Sequence, residues 1–535
     1  MFLPGARQPS SSPRRRVSRD KAIPAPIGGW VSAQNLAASA AGTCLVLDNM
    51  YPTTTGLRIR GGNRLHATVG SVPVQSLMGY VGGTVKSMFA AAGGSVYNIT
   101  TVANPAIPPA PAFSGQTSNY YAHVNFATTG GYFMYAVNGT DLARLYNGTT
   151  WTAINGASVP AITGATTSTF SHVNVYRNRI YFVEKNTLIV DYLPVDSIGG
   201  AAAQLNLAGI FRKGGAVLFT ATWSSESGSS SLNDYFVVVS TEGEIAIFTG
   251  SYPGGADWSL VGTAEGPEPL GVNAWFKAGG DIAIETITGL ITVSAIKLKD
   301  PGALAVDALS SAIEPDWRRE ASLRRTVPWE AVKWVEKGLL YVSVPSVSVS
   351  TAPLVYVKNL ATGAWGGPYK GWDARCMLVH NRQLYFGAND GTIRIAEIGG
   401  RDGTMPYTGL IGFAWDHIGT PGYTKTVKQA RADFITTQPF AVQISASVNY
   451  VSSFPSPPNA TTDAIPTSLF DVGLWGEAIW DGGTALFPKS TRWVSIGTTG
   501  DIFSMQIQIP IGATETPSAE LTILHLTYEQ GALTV

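Results

Sequence analysis

Few side chains in this sequence stand where chemistry needs them. The six histidines, His66, His123, His172, His380, His417 and His525, are dispersed singly, and none falls at the spacing that lets two imidazoles share a zinc ion. Two cysteines, Cys44 and Cys376, are too few for a disulfide framework or a four-thiolate site within one chain. The metalloprotease pattern HExxH, the phosphate loop, a strand-linked GxGxxG and the serine elbow GxSxG are all absent. Glycoside hydrolysis leaves no local motif, because its two acids come from separate strands. The repeated aspartate box of sialidase propellers is nevertheless missing, its nearest fragment being the isolated Gly254-Gly255-Ala256-Asp257-Trp258. The sequence therefore predicts no catalytic residue, no metal and no cofactor.

What remains is a cluster with structural chemistry. Gly28-Gly29-Trp30 is followed by the run from Cys44 to Gly62, CLVLDNMYPTTTGLRIRGG. Pro52 and the turn residues Thr53, Thr54, Thr55 and Gly56 end one strand, with Gly56 free to adopt a left-handed backbone. Arg58 and Arg60 alternate onto one face of the next strand, and Asp48 lies near enough in sequence to pair with them. Such a hairpin serves as a self-contained ion-paired element or as a subunit contact in a ring. Asp48, Asn49, Pro52, Gly56, Arg58, Arg60, Gly61 and Gly62 are thus assembly candidates. Two basic groups are candidates for facing a partner or DNA: Arg14, Arg15 and Arg16 near the N-terminus, and Arg318, Arg319, Arg324 and Arg325. For each the alternative is a solvated or locally paired surface.

The elements that must position these residues read as β throughout. From about residue 71, short apolar alternations are separated by Gly, Asn and Asp turns, with no sustained 3.6-residue period. Unit starts near Ser76, Ala122, His172, Asp234, Trp275, Val332 and Ala374 are about 50 residues apart, the spacing of propeller blades. The expectation is a β-propeller of six to eight blades, seven favoured, over residues 71–407, with a pair of β-sandwiches as the competing architecture. The run 314–325 breaks the pattern as a short helix, with Asp316 as N-cap and Trp317 and Leu323 as apolar contacts. Residues 408–535 read as a β-sandwich or platform that also takes up residues 29–70, a stretch too short to fold alone. Residues 1–28, rich in Pro, Ser and Arg, read as a flexible basic arm.

Composition bounds the partners. Among 535 residues, 36 Lys+Arg balance 36 Asp+Glu, which argues against a dedicated nucleic-acid binder and a polybasic membrane-surface protein. No secretory signal is legible, and no apolar window of about 20 residues survives, the best being cut by Arg212 and Lys213. The chain is expected to be soluble.

The LDN-aromatic-Pro element, its polar turn and the GLRIRGG strand resemble the N-terminal motif of tail nozzle, or tail tubular hub, proteins of short-tailed bacteriophages and related prophages. RWVSIGTTGDIFSMQIQI and ELTILHLTYEQGAL are similar to that family's closing strands. The resemblance touches both ends and the β-rich middle. It implies a non-enzymatic virion protein that is soluble in the host cytoplasm before assembly. It also implies a ring of identical subunits, commonly a hexamer, below the portal and adaptor, with tail fibres as further partners and double-stranded DNA sliding through the lumen. The competing functions are a glycan- or receptor-binding propeller and, third, a propeller glycosidase.

Overall fold

Seven antiparallel sheets follow one another along residues 76–396 in the computed structural model, which describes residues 18–33, 35, 40–227, 231–348, 351–436, 440–456, 487–513 and 518–533. Six have four strands and one, in the fifth place, has three. Their first strands are Ser76–Gly82, Ala122–Thr128, Phe170–Tyr176, Val217–Ser227, Trp275–Ala278, Glu330–Trp334 and Cys376–His380. Each contacts the next, and the seventh contacts the first, so the sheets close a ring. This is a seven-bladed β-propeller. Second strands such as Leu339–Val344 are buried on both faces, which is why they read as unbroken apolar runs. Two-residue hairpin loops carry the tight turns. Arg177 and Asn178, like Asn381 and Arg382, both sit at positive φ, the type I′ geometry that follows strand twist. Aromatic side chains fill the seams between blades, with Trp151 at 5.0 Å from Phe89 and Tyr181 at 4.5 Å from Phe236.

Six of the seven unit starts fall within two residues of an inner strand. Asp234 lies instead in the second strand of blade 4, whose inner strand is the long Val217–Ser227. The seventh blade shows a second difference. It gains only three strands from its own stretch, and its fourth is Asn63–Thr68, paired antiparallel with Thr392–Ala396. The stretch 29–70 therefore does not belong wholly to the platform: its end closes the propeller and removes an open sheet edge.

Both chain ends build the platform. One sheet contains Ser18–Pro24, Met50–Pro52, Leu57–Ile59, Tyr423–Thr436, Phe487–Ser490, Val494–Gly500 and Ala519–Leu533; the other contains Cys44–Asp48, Tyr407–Phe413, Gln443–Val448 and Phe503–Ile511. The flexible arm expected over residues 1–28 is corrected from Ser18 onward. Ser18–Pro24 pairs antiparallel with the last strand, from Ser18 opposite Glu529 to Pro24 opposite Ile523, and Lys21 Nζ donates to Asp416 Oδ2 at 2.6 Å. Residues 1–17, with Arg14, Arg15 and Arg16, lie outside the described residues.

In place of a fourth strand, blade 5 continues into short helical turns and the helix Glu314–Leu323. Trp317 is fully buried against Trp329, Trp365 and Tyr356, in one apolar core shared with Leu47, Ile411 and Leu521 of the platform. The helix thus seals blades 5 and 6 to the sandwich. Two local expectations fail. Leu323 is exposed, and Ile313 rather than Asp316 takes the N-cap position, leaving Asp316 in the first turn where its charge suits the helix dipole.

Candidate functional site

The Cys44–Gly62 motif lies where the chain passes from platform to propeller, beside the return segment 397–406 that leads back from blade 7. Two glycines make that side-by-side crossing feasible. A Cβ on Gly61 would stand 2.7 Å from the Glu397 backbone, and one on Gly62 would stand 2.0 Å from the Arg401 carbonyl oxygen. The Gly61 N–H donates to Glu397 Oε2 at 2.7 Å, and the Gly62 N–H to the Gly399 carbonyl at 2.7 Å.

Arg60 is the centre of this joint and is completely buried. All five of its N–H donors are used. Nε donates to Asn49 Oδ1 at 2.9 Å; Nη1 donates to the Gly61 carbonyl at 2.9 Å and Asp402 Oδ1 at 2.8 Å; Nη2 donates to the Lys370 carbonyl at 2.9 Å and Asp402 Oδ2 at 2.6 Å. Tyr407, Trp372 and Tyr369 stand around the guanidinium at 4.0, 5.2 and 5.4 Å. Burial works against its charge, but Asp402 together with Tyr407 and Glu397 offsets that and holds Arg60 above its ordinary value. Asn49 completes the arrangement. It sits at φ 57°, donates to the Thr408 carbonyl at 2.8 Å and accepts the Lys370 N–H at 2.9 Å. One guanidinium thereby ties together the N-terminal crossing, the last strand of blade 6 and the return segment.

The other motif residues take separate partners. Asp48 does not pair with either arginine: it accepts from Lys370 Nζ at 2.7 Å, with burial raising its pKa against that cation. Arg58 donates to Glu520 Oε2 at 2.7 Å, so the two arginines of the strand part company. Glu520 also accepts from the Thr53 and Thr55 hydroxyls. Burial would raise its pKa, but these donors and Arg58 together hold it below the usual value. Gly56 does not use a left-handed backbone; it is needed for space, since a Cβ there would meet the Leu521 carbonyl oxygen at 2.2 Å. The Pro52 carbonyl accepts from Asn359 Nδ2 at 2.9 Å. An open cleft of about 670 Å³ adjoins the joint, bordered by Asp48, Lys370, Asp402, Tyr407 and Gln508.

Each arginine of the second basic group has an acidic partner within the chain, three of them on the surface. Arg318 pairs with Glu314 at 2.7 Å, Arg319 with Asp316 at 2.5 Å, and Arg325 with Glu268. Arg324 cannot face a partner or DNA: it is buried, bound to Glu320 at 2.8 Å and to the Val344, Pro345 and Ala352 carbonyls. Sequence reasoning missed Asp402, Glu397 and Glu520, because each meets the motif from several hundred residues away. The one available signal was topological, since a platform built from both ends must bring the exit of the last blade back beside the entry to the first.

No family model matches the chain, and no curated protein does. Among solved structures, Chaetomium thermophilum Raptor aligns at 10% identity and TM-score 0.39, over 63% of this chain and 29% of that one. BBS1N, crystallised in complex with ARL6DN, aligns at 8% identity and TM-score 0.37 in a mercury-soaked crystal, covering 64% of this chain and 97% of that one. A lead-soaked crystal of the same complex gives 7% identity and TM-score 0.37, covering 64% and 96%.

Proposed function

We propose that this chain is a structural subunit of a short-tailed phage tail nozzle, acting without catalysis. The observation that carries the reading is that the two sequence regions bearing the resemblance, at opposite ends of the chain, share one sandwich. There Leu57 and Arg58 of the motif pair with Leu521 and Glu520 of the closing strand. In this reading the platform supplies contacts for a ring of identical subunits, a hexamer, docked on the adaptor and portal, while the propellers stand outward where tail fibres are within reach. Double-stranded DNA slides through the lumen, and a chain with 36 positive and 36 negative side chains suits a channel that must not grip phosphate. The protein belongs to the virion and waits in the host cytoplasm before assembly. Among the described residues, no helix is long and apolar enough to cross a membrane.

The test is the native mass of the purified full chain, alone and mixed with its adaptor, followed by electron microscopy of any particles. A closed ring in either condition supports the proposal. A monomer in both overturns it, and saturable glycan binding by that monomer would favour the receptor-binding alternative.

A further inference from the structure

Balanced over the whole chain, charge is divided between the two faces of the propeller. Antiparallel pairing sends the turn between first and second strands of every blade to one face, and the turn between second and third strands to the other. Around the first set stand Lys86, Lys277 and Arg382, each exposed and none salt-bridged among the described residues. Arg177 stands apart on blade 3, where Asp257 is near it. The second set is dominated by acids, and these are used locally. Asp141 accepts the Thr117 N–H at 2.9 Å, Glu244 the Arg212 N–H at 2.8 Å and Asp390 the Thr392 N–H at 3.0 Å. One face thus spends its charges on its own backbone, while the other keeps three cations without a partner.

The free cations lie along one arc. Lys333 Nζ donates to the Lys277 carbonyl at 3.2 Å and Trp334 Nε1 to the Arg382 carbonyl at 2.9 Å, so the turn of blade 6 touches those of blades 5 and 7. Lys86 of blade 1 adjoins the end of the same blade 7 strand, where its charge acts on His380. Acids on this arc leave the three cations free: Asp281 accepts the Ile282 N–H at 2.8 Å, and Glu336 is flanked by Lys337, itself bound to Glu397 at 3.3 Å. Beyond Lys86 the arc becomes apolar. Val81 and Val85 on blade 1 and Tyr132 on blade 2 are each about half exposed, and the Tyr80 hydroxyl, donating to the Tyr132 carbonyl at 3.1 Å, holds the two turns together. Apolar side chains left in water beside unpaired cations mark a surface that a partner covers.

We propose that this arc docks an acidic segment of a partner protein, with carboxylates on Lys277, Arg382 and Lys86 and an apolar or aromatic side chain against Val81, Val85 and Tyr132. Charge complementarity selects the sign of the partner, and the apolar end selects its kind. Duplex DNA brings the charge but offers no apolar side chain to the valines and the tyrosine. Three free cations also fall short of the cluster by which proteins hold an anionic bilayer. The docking does not depend on ring assembly.

The experiment measures binding of the full chain to a labelled random copolymer of glutamate and tyrosine, beside poly-glutamate, a short DNA duplex and phosphatidylglycerol vesicles. The expected result is saturable copolymer binding that exceeds all three and weakens about tenfold between about 50 and about 200 mM salt. Lys86→Glu combined with Arg382→Glu should weaken it about tenfold or more at an unchanged melting temperature, because both side chains are exposed. Lys185→Glu, on the opposite face, should leave it unchanged, and Tyr132→Ser should erase the preference over poly-glutamate. Lys277→Glu provides a further variant should the double one fail to fold. Absence of copolymer binding, equal binding of poly-glutamate, tighter binding of the duplex or the vesicles, or unchanged affinity in the folded charge-reversed variants would each overturn the proposal.

Discussion

The joint around Arg60 and the seam of blades 5 and 6 around Glu285 are both places where charge is taken out of water, and they are built in opposite ways. Arg60 has five donors and five acceptors, three surrounding rings and a bidentate aspartate. Glu285 has two oxygens and no donor for either. A buried charge whose hydrogen bonds are all filled from within the chain has no capacity left for another molecule, so its role is to hold backbone segments in register. A buried acid left unfilled does not hold anything together. Burial and the nearby Glu330 carboxylate hold Glu285 well above the usual carboxylate range.

The comparison breaks most directly at Arg60. Arg60→Ala leaves the part-buried Asp402 without its counter-ion and should cost about 3 kcal/mol, read as a lower urea midpoint with unchanged slope. Gly62→Ala attacks the same joint through space alone. With its new Cβ driven against the Arg401 carbonyl, about 1 to 3 kcal/mol should be lost, while Gly42→Ala, whose Cβ meets nothing within 4 Å, separates crowding from the backbone cost of a left-handed position. The seam should answer to pH instead. Glu330 titrates near 8 when folded against 4.5 ordinarily, so the folded state retains a proton that the unfolded state has released. Stability should therefore fall as pH rises from about 5 to about 8, and Glu330→Gln should flatten that slope in denaturant midpoints measured across the range. The smallest effect belongs to the exposed Arg318–Glu314 pair, where Arg318→Ala should change stability by no more than about 0.5 kcal/mol, within the error of most chemical melts.

What the sequence made legible follows from how local each interaction is. Blade spacing survived because hairpin turns and strand alternation are short-range, and six of seven inner strands were located from them. The Cys44–Gly62 motif stood out through its clustered Gly and Arg, but its pairing did not. Asp48 was the nearest acid in sequence, whereas the acids that serve Arg60 and Arg58 are Asp402 and Glu520, brought in by sheet topology. Gly56 shows the same limit, since its need for space comes from Leu521 and not from its own turn. The helix 314–325 was legible as a helix, and local pairing to Glu314 and Glu320 was one of its two readings, but Glu268 and the carbonyls at 344, 345 and 352 were not, because they lie in neighbouring loops and strands. Glu285 and Glu330 left no mark at all. Each is one acid in an ordinary strand, and the packing of blade 6 against blade 5 sets the two near each other.

The strand Asn63–Thr68 completes the last blade, and Ser18–Pro24 lies against the final strand of the chain. A ribosome making this protein releases both early segments long before their partners exist. The propeller cannot latch until blade 7 has been translated, nor the sandwich until Ala519–Leu533 follows. Contacts of such long sequence separation form late and slowly, leaving unlatched edges exposed to chaperones and proteases in the meantime. A chain that stops before residue 392 lacks both latches and one that stops between there and Ala519 lacks the second, so truncation leaves at least one sheet edge open.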